Sequence, residues 1–151
     1  MRAKYLYIFY ILITFLSLWV GWRHLNSLGA LHFMRKAEIG QFLGPANSEK
    51  ILVEVVDYRC PPCRALYPVI KEYQERHPDV KVVVKYIPIY LKPSVNEAKF
   101  ALAAAMQGRF ADVHERLMSR GEEPMTEEEE AKITAELGLD AQRIAIDGEN
   151  K

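Results

Sequence analysis

The chain is poor in cysteine, with two in 151 residues, and has no net charge, 20 Lys and Arg balancing 20 Asp and Glu. Two cysteines cannot build a multi-bridge scaffold, and a single Cys-x-x-Cys without a second Cys or His pair falls short of a structural zinc site within one chain. Nothing in the length asks for a repeat architecture. A hydrophobic fraction of 50% with 26% charged residues suits one globular domain plus an extra terminal segment. The charge is split along the chain: residues 1–111 hold 15 basic against 8 acidic side chains and residues 112–151 hold 5 against 12, giving +7 and −7. The acidic share lies in helix-like sequence such as Glu127 to Glu130, where a solvated face and favourable charge near a helix start account for it. No nucleic-acid partner, cofactor or resident metal is expected.

One long stretch carries no charge at all. Between Lys4 and Arg23 lie 18 uncharged residues, Tyr5 to Trp22, with aromatic residues at both ends. As a helix they would extend roughly 27 Å, close to the ~30 Å hydrocarbon core of a bilayer. The stretch exceeds the usual length of a signal-peptide apolar region, so an uncleaved membrane anchor is expected over 1–28. A cleaved signal ending near Ser27-x-Gly29 is the alternative. Basic residues flank the run on both sides (Arg2 and Lys4; Arg23, Arg35 and Lys36), and charge counting does not orient it. A short N-terminal anchor ordinarily leaves the following domain exported, which places that domain in the periplasm or outside the cell.

Residues 29–49, rich in Gly, Pro, Asn and Ser, read as a linker with one short helix around Leu31 to Phe42. The domain is expected over 50–151. Ile51 to Val56 is an apolar, β-branched run of the buried-strand type, interrupted by Glu54, and Val80 to Ile87 is a second strand. Between them Leu66, Val69, Ile70 and Tyr73 recur at helical spacing, with Pro61 suited to the first turn and Pro68 inside the helix. Strand, helix, strand predicts a parallel βαβ unit. Downstream the pattern is helical near 95–107, 109–119, 126–137 and 140–146. Ser94-x-x-Glu97 and Thr126-x-x-Glu129 have the form of capping boxes. Phe110, Val113, His114 and Leu117 share one helical face, so His114 reads as a packed or rim histidine and not a ligand. His24, His32 and His77 show no partner spacing.

The chemistry falls on Cys60 and Cys63. A redox dithiol needs two sulfurs close enough to bridge, one of them accessible and partly ionised, because the thiolate is the attacking species. A helix start meets both needs through unpaired N–H groups and a partial positive charge, with Arg59 and Arg64 adding to it. Cys60 is then the nucleophile and Cys63, one turn further in, the resolving thiol. Pro61 and Pro62 remove two backbone donors, which predicts moderate acidity. Glu54 in an apolar strand is costly unless paired or neutral, and burial would raise its pKa into a range useful for proton transfer.

The segment VEVVDYRCPPCRALYPVIKEY resembles the thioredoxin superfamily, in particular its DsbA-like branch with a helical insertion, over about Gly44 to Leu139. The resemblance implies that Glu54, six residues before Cys60, is the buried acid beneath the resolving cysteine. It implies that Lys85 is the acid's partner on the next strand, and that Pro68 is the family's helix kink. KPSVNEAKFALAAAMQGRFADVHERLM is similar to the helical insertion. The family's fold continues with a strand led by a cis-proline, a last hairpin strand and a final helix. Pro88, Pro93 and Pro124 do not match that proline, so the fold is expected to be incomplete at its C-terminal end.

The sequence therefore points to an α/β, thioredoxin-like βαβ core with a helical insertion, truncated, behind an N-terminal transmembrane helix. The implied activity is thiol–disulfide exchange with protein thiols through Cys60, Cys63, Glu54 and Lys85. Its partners would be protein thiol or disulfide substrates and a membrane or soluble redox protein. The rival reading is a truncated, catalytically poor membrane-anchored interaction module, or one holding a metal between two copies through Cys60 and Cys63.

Overall fold

Proline is missing from the first 44 residues, and Arg2–Arg35 within them run as one long helix, α1. The computed structural model describes residues 2–37 and 40–149, with side chains described over 10–37 and 40–148. The hydroxyls of α1 turn back on their own helix: Thr14 donates to the Ile11 carbonyl and Ser17 to that of Ile13, each at 2.8 Å, and Ser27 to that of His24 at 2.7 Å. Its large apolar side chains from Tyr10 to Phe33 are exposed. Among the described residues no helix is long and apolar enough to cross a membrane. The expected span, Tyr5 to Trp22, opens with five residues whose side chains lie outside those described. The chain divides into two units, Met1–Lys36 and Ala37–Lys151. Because α1 continues past residue 28, the segment read as a linker is helical at its start, and the short helix expected near Leu31 to Phe42 is no separate element. An isolated glycine such as Gly29 costs a helix only about 1 kcal/mol.

The second unit is built on three strands in the order β1-β3-β2, with β1 at Phe42–Leu43, β2 at Ile51–Val56 and β3 at Lys81–Tyr86. β2 and β3 are parallel, in register from Ile51↔Lys81 to Val56↔Tyr86, and helix α2, Pro61–Arg76, makes the crossover. Val82, Val83 and Val84 are fully buried, as the continuous apolar run of a strand covered on both faces requires. β1 pairs antiparallel with the other edge of β3. At two residues it is too short to carry a periodicity, which is why the sequence showed two strands and not three.

Helices α3, Lys92–Met106, α4, Phe110–Ser119, α5, Glu127–Glu136, and α6, Ala141–Glu149, follow. In α3 the small buried side chains Ala98, Ala101, Ala103, Ala104 and Ala105 give its packing partners α4 and α6 close approach. Phe110, Val113 and Leu117 face the core as their spacing predicts. Thr126 and Glu129 form a complete capping box. The Ser94 to Glu97 pattern does not. α3 begins at Lys92, so Ser94 and Glu97 are already inside it and buried, and Glu97 is engaged elsewhere. α2 also corrects the sequence reading: Leu66, Val69 and Tyr73 are 51, 56 and 39% exposed, while Tyr67, Ile70 and Cys63 meet the core. The apolar arc of α2 is wider than the face it buries.

β1 leaves the sheet at Gly44, where φ is +81° and a Cβ would lie 2.6 Å from the Val80 carbonyl oxygen. Gly108 has φ +72° but open space around it. Gly44→Ala is expected to cost about 3 kcal/mol and Gly108→Ala about 1 kcal/mol, read as the difference in urea unfolding midpoints. Equal losses would show that backbone strain, and not the clash with Val80, sets both.

Candidate functional site

β2 ends at Val56, and the next residue, Asp57, organises the turn that presents the two cysteines. Its backbone carbonyl accepts from the Cys60 N–H at 3.0 Å, and its Oδ1 accepts from the Arg59 N–H at 2.8 Å. Oδ2 reaches the segment after β3, accepting from the N–H groups of Ile89 at 2.6 Å and Tyr90 at 3.3 Å. Burial alone would raise the pKa of this carboxyl, but the Arg59 N–H, the Ser94 hydroxyl and the N–H groups of Ile89 and Tyr90 together outweigh it and hold Asp57 below the usual aspartate range.

Cys60 is the N-cap of α2, in extended backbone (φ −80°, ψ 113°), with Pro61 and Pro62 opening the helix. Both prolines lack an N–H, so Cys63 carries the first free backbone donor of the turn before the ladder begins with Arg64 N–H to the Cys60 carbonyl at 3.1 Å. Both cysteines are free and half-buried, and Cys63 packs against the core. Burial, the largest influence, pushes the Cys63 thiol up. A hydrogen bond from the Asp57 backbone opposes this, while the Cys60 thiol and the Asp57 charge reinforce it. Cys63 is thereby kept protonated near neutral pH.

The two flanking arginines are committed to the loops. Arg64 donates through Nε to the Tyr58 carbonyl at 2.5 Å and through Nη1 to the Arg120 carbonyl. Arg59 donates to the Glu122 carbonyl at 3.1 and 3.3 Å and lies over the Tyr90 ring. The accepting loop is itself braced from inside. Arg120 donates to the buried Glu97 carboxylate at 2.9 Å, to the Glu123 carbonyl at 2.8 Å and to Glu129 at 2.6 Å, and the Met125 N–H donates to Glu97 at 3.1 Å. The arginines thus act first as struts between the dithiol turn and the loop joining α4 to α5.

Behind the turn lies a buried polar cluster. Glu54 on β2 is 7% exposed and its Oε2 has no hydrogen-bond partner, while His114 on α4 is 0% exposed and its Nε2 has none either. The two atoms face each other at 3.6 Å. His114 Nδ1 lies 3.0 Å from the Tyr58 hydroxyl, which lies 2.7 Å from that of Tyr86. The rings of Tyr67, Phe110 and Tyr58 enclose the imidazole at 5.3, 5.4 and 5.6 Å. Burial pushes the Glu54 pKa up to about 7. Burial pushes His114 down to about 4, against the charge of Glu115, which raises it.

Cys60 and Cys63 thus stand at one helix start fed by a parallel strand, with the buried Glu54 carboxyl on that strand, and the DSBA-like thioredoxin domain family matches residues 51–150. This chain belongs to that family. Among solved structures, the DsbA-like chain is similar to the thiol-disulfide exchange protein alpha-DsbA2 from Wolbachia pipientis, at 26% identity and a TM-score of 0.62 over 70% of this chain and 57% of that one. A thioredoxin-like oxidoreductase from Silicibacter pomeroyi is 29% identical with a TM-score of 0.68, over 77% of this chain and 66% of that one. A periplasmic thioredoxin-like protein from Salmonella enterica serovar Typhimurium shares the fold at 23% identity, with a TM-score of 0.64 over 78% of this chain and 74% of that one. The chain spans less than two thirds of the first two. No curated protein sequence matches it.

Of the residues singled out from sequence, the DsbA-like fold places Cys60 and Cys63 at one turn and Glu54 in the strand that leads to it. It does not bring Lys85 to Glu54. Lys85 is in register with Val55 and Glu54 with Val84, and side chains alternate along a strand, so the two lie on opposite faces of the sheet. The group facing Glu54 is His114, whose apolar helical face signalled its burial but not its neighbour. Asp57, Tyr58 and Tyr86 were also missed, though an aspartate three residues before a helix cap is a turn signal. Among the described residues no three His, Cys, Asp or Glu side chains stand together as a metal site.

Glu54 and His114 make opposite contributions to stability against pH. Glu54, raised from 4.5 to about 7, stabilises the fold most at low pH, and this contribution is lost as pH rises through 7. His114, lowered from 6.5 to about 4, stabilises it fully above 6.5, and this is lost as pH falls through 4. The slopes cancel between about pH 4.5 and 6.5 in the native chain. Urea unfolding of Glu54→Gln should expose the histidine slope, a gain on the order of 3 kcal/mol from pH 4 to 6.5. His114→Gln should show a loss of similar size, about 3 kcal/mol, from pH 4.5 to 7. A flat profile in either variant would mean that the remaining group is not buried in its neutral form.

Proposed function

We propose that this chain is a protein thiol–disulfide oxidoreductase acting through Cys60 and Cys63. The observation that carries the proposal is the turn itself: a half-exposed Cys60 at the N-cap of α2, one helical turn from a Cys63 whose thiol is buried enough to stay protonated. In the oxidising direction a substrate thiolate attacks Sγ of Cys60. The Cys60–Cys63 bond breaks, a mixed disulfide forms, and Cys63 leaves as a thiolate that takes up a proton. A second substrate thiolate then attacks the substrate sulfur of the mixed disulfide, leaving Cys60 reduced and the substrate oxidised. The reducing direction is the reverse, with Cys63 losing its proton before it attacks Sγ of Cys60. Glu54 is the proposed carrier of that proton, supported by its burial and by a pKa near 7, where a carboxyl both gives and takes protons at neutral pH.

The domain is proposed to face an oxidising compartment outside the cytoplasm, held by residues 1–28 as an anchor. Support comes from the uncharged run Tyr5 to Trp22, from the exposed apolar surface of α1, and from the periplasmic description of one fold relative. Intact-mass analysis of the membrane fraction should give the full chain. A soluble product beginning near Ala30 would refute the anchor and leave an exported soluble protein.

Equilibration in a glutathione redox buffer tests the activity. The native chain should pass between dithiol and disulfide, and should accelerate insulin reduction in a way that Cys60→Ala abolishes. Iodoacetamide should label Cys60 before Cys63 at neutral pH, because a buried, protonated thiol is the poorer nucleophile. Faster labelling of Cys63 would reverse the assignment of nucleophile and resolving thiol.

A further inference from the structure

The Glu54 and His114 side chains are each almost completely shut from solvent, and each leaves a polar atom without a partner. A buried orphan is costly, and two of them on separate elements are seldom left facing by chance. We propose that His114 is the positioning residue of Glu54: the imidazole Nε2 and the carboxyl Oε2 share one proton inside the core, and the tautomer of His114 follows the protonation state of Glu54. The sharing stands on the geometry alone. Its consequence for thiol exchange rests on the reading of Glu54 as the proton carrier for the dithiol.

The 3.6 Å between the two atoms is a few tenths of an ångström beyond a hydrogen bond, and a small torsion of the Glu54 carboxyl closes it. The other ring nitrogen is already engaged, with Nδ1 at 3.0 Å from the Tyr58 hydroxyl and that hydroxyl at 2.7 Å from Tyr86. This arrangement leaves two consistent proton patterns. With Glu54 protonated, its O–H donates to Nε2, Nδ1–H donates to the Tyr58 oxygen, and the Tyr58 O–H donates to Tyr86. With Glu54 ionised, Nε2–H donates to the carboxylate and the Tyr58 O–H turns to donate to Nδ1. In the second pattern Tyr86 can donate to Tyr58. No heavy atom has to move far, and the imidazole stays neutral in both.

The other titratable groups facing this pair are few. Tyr58 comes from the dithiol turn, Tyr67 from α2 and Tyr86 from β3, and burial raises the pKa of all three, so they stay neutral. Glu115, next to His114 on α4, is exposed and ion-paired with Lys71. The pair is therefore left to share its proton without a competing charge in the core. A donor held ready for the carboxylate favours its charged form, so it sets the Glu54 midpoint lower than burial alone would.

The test uses the full chain in detergent micelles, with 15N in the histidine rings and 13C in the glutamate carboxyls, followed by NMR from pH 5 to 9. Nε2 of His114 should change from an unprotonated to a protonated ring nitrogen, and Nδ1 the reverse, with the midpoint at which the Glu54 carboxyl titrates. His114→Leu should raise that carboxyl midpoint by about one unit or more. His114→Gln, whose amide can face Glu54 from the same position, should bring it back to within about half a unit of native. Glu54→Gln should hold His114 in one tautomer at every pH, which keeps the proposal testable if the leucine variant does not fold. A His114 tautomer that ignores the Glu54 titration, or a Glu54 midpoint that is the same in His114→Leu as in the native chain, would overturn the proposal. The pH profile of glutathione exchange, measured on the same variants, separates the two readings. If the carboxyl midpoint moves and the rate profile does not, proton sharing stands and the proton-carrier role of Glu54 fails.

Discussion

The carboxylate of Asp57 stands where three segments meet, and the rest of the site depends on it. Its two oxygens and its carbonyl receive N–H groups from Arg59, Cys60, Ile89 and Tyr90, joining the end of β2, the start of α2 and the segment after β3. A turn containing two prolines has few backbone donors of its own with which to fix its shape. An ionised acceptor that takes bonds from both sides supplies what the prolines removed, and hydrogen bonds to a charged acceptor are about twice as strong as neutral ones.

The same turn is tied to the helical insertion by its arginines. Arg59 and Nη1 of Arg64 donate to carbonyls of the loop between α4 and α5, and that loop is held by Arg120 on the buried Glu97. Glu97 is kept partly in check by Met125 and Arg120, although burial, the largest influence, raises its pKa. Helices α3 and α4 therefore do more than cover the sheet, since they supply the surface against which the dithiol turn is braced. The positive charge of Arg59 and Arg64 still lies near Cys60, but it arrives on side chains that are held in place rather than free to follow a thiolate.

The polar cluster behind the turn follows a different logic. Glu54, His114, Tyr58 and Tyr86 come from β2, α4, the turn and β3, and burial favours the neutral form of each. Burial disfavours charge here, so a Glu54–His114 ion pair is disfavoured, and the hydrogen bonds of the cluster run from Tyr58 to His114 and Tyr86. That is a stable arrangement only if each change of proton at one end is matched along the chain.

The residues of β2, β3 and α2 were legible because their apolar spacing is local: Ile51–Val56 is an apolar, mostly β-branched run broken only by Glu54, and the Cys-Pro-Pro-Cys turn marks its own helix start. The helices of the insertion were legible for the same reason, as was the capping box at Thr126, which closes within four residues. β1 was not, since two residues hold no pattern and their pairing with β3 is decided by atoms about 40 residues away. The face that α2 buries was misread because its apolar arc is wider than the contact. Lys85 was placed by resemblance, and the register of two parallel strands put it on the other side. His114 and Glu54 lie on elements separated by about 60 residues, and no spacing rule connects them. Local spacing sufficed to say which residues carry sulfur, charge and apolar surface and to place most of the helices and the two long strands. Only the tertiary structure decided which of them meet, because a contact between distant elements depends on strand register and helix rotation, and neither is written in local periodicity.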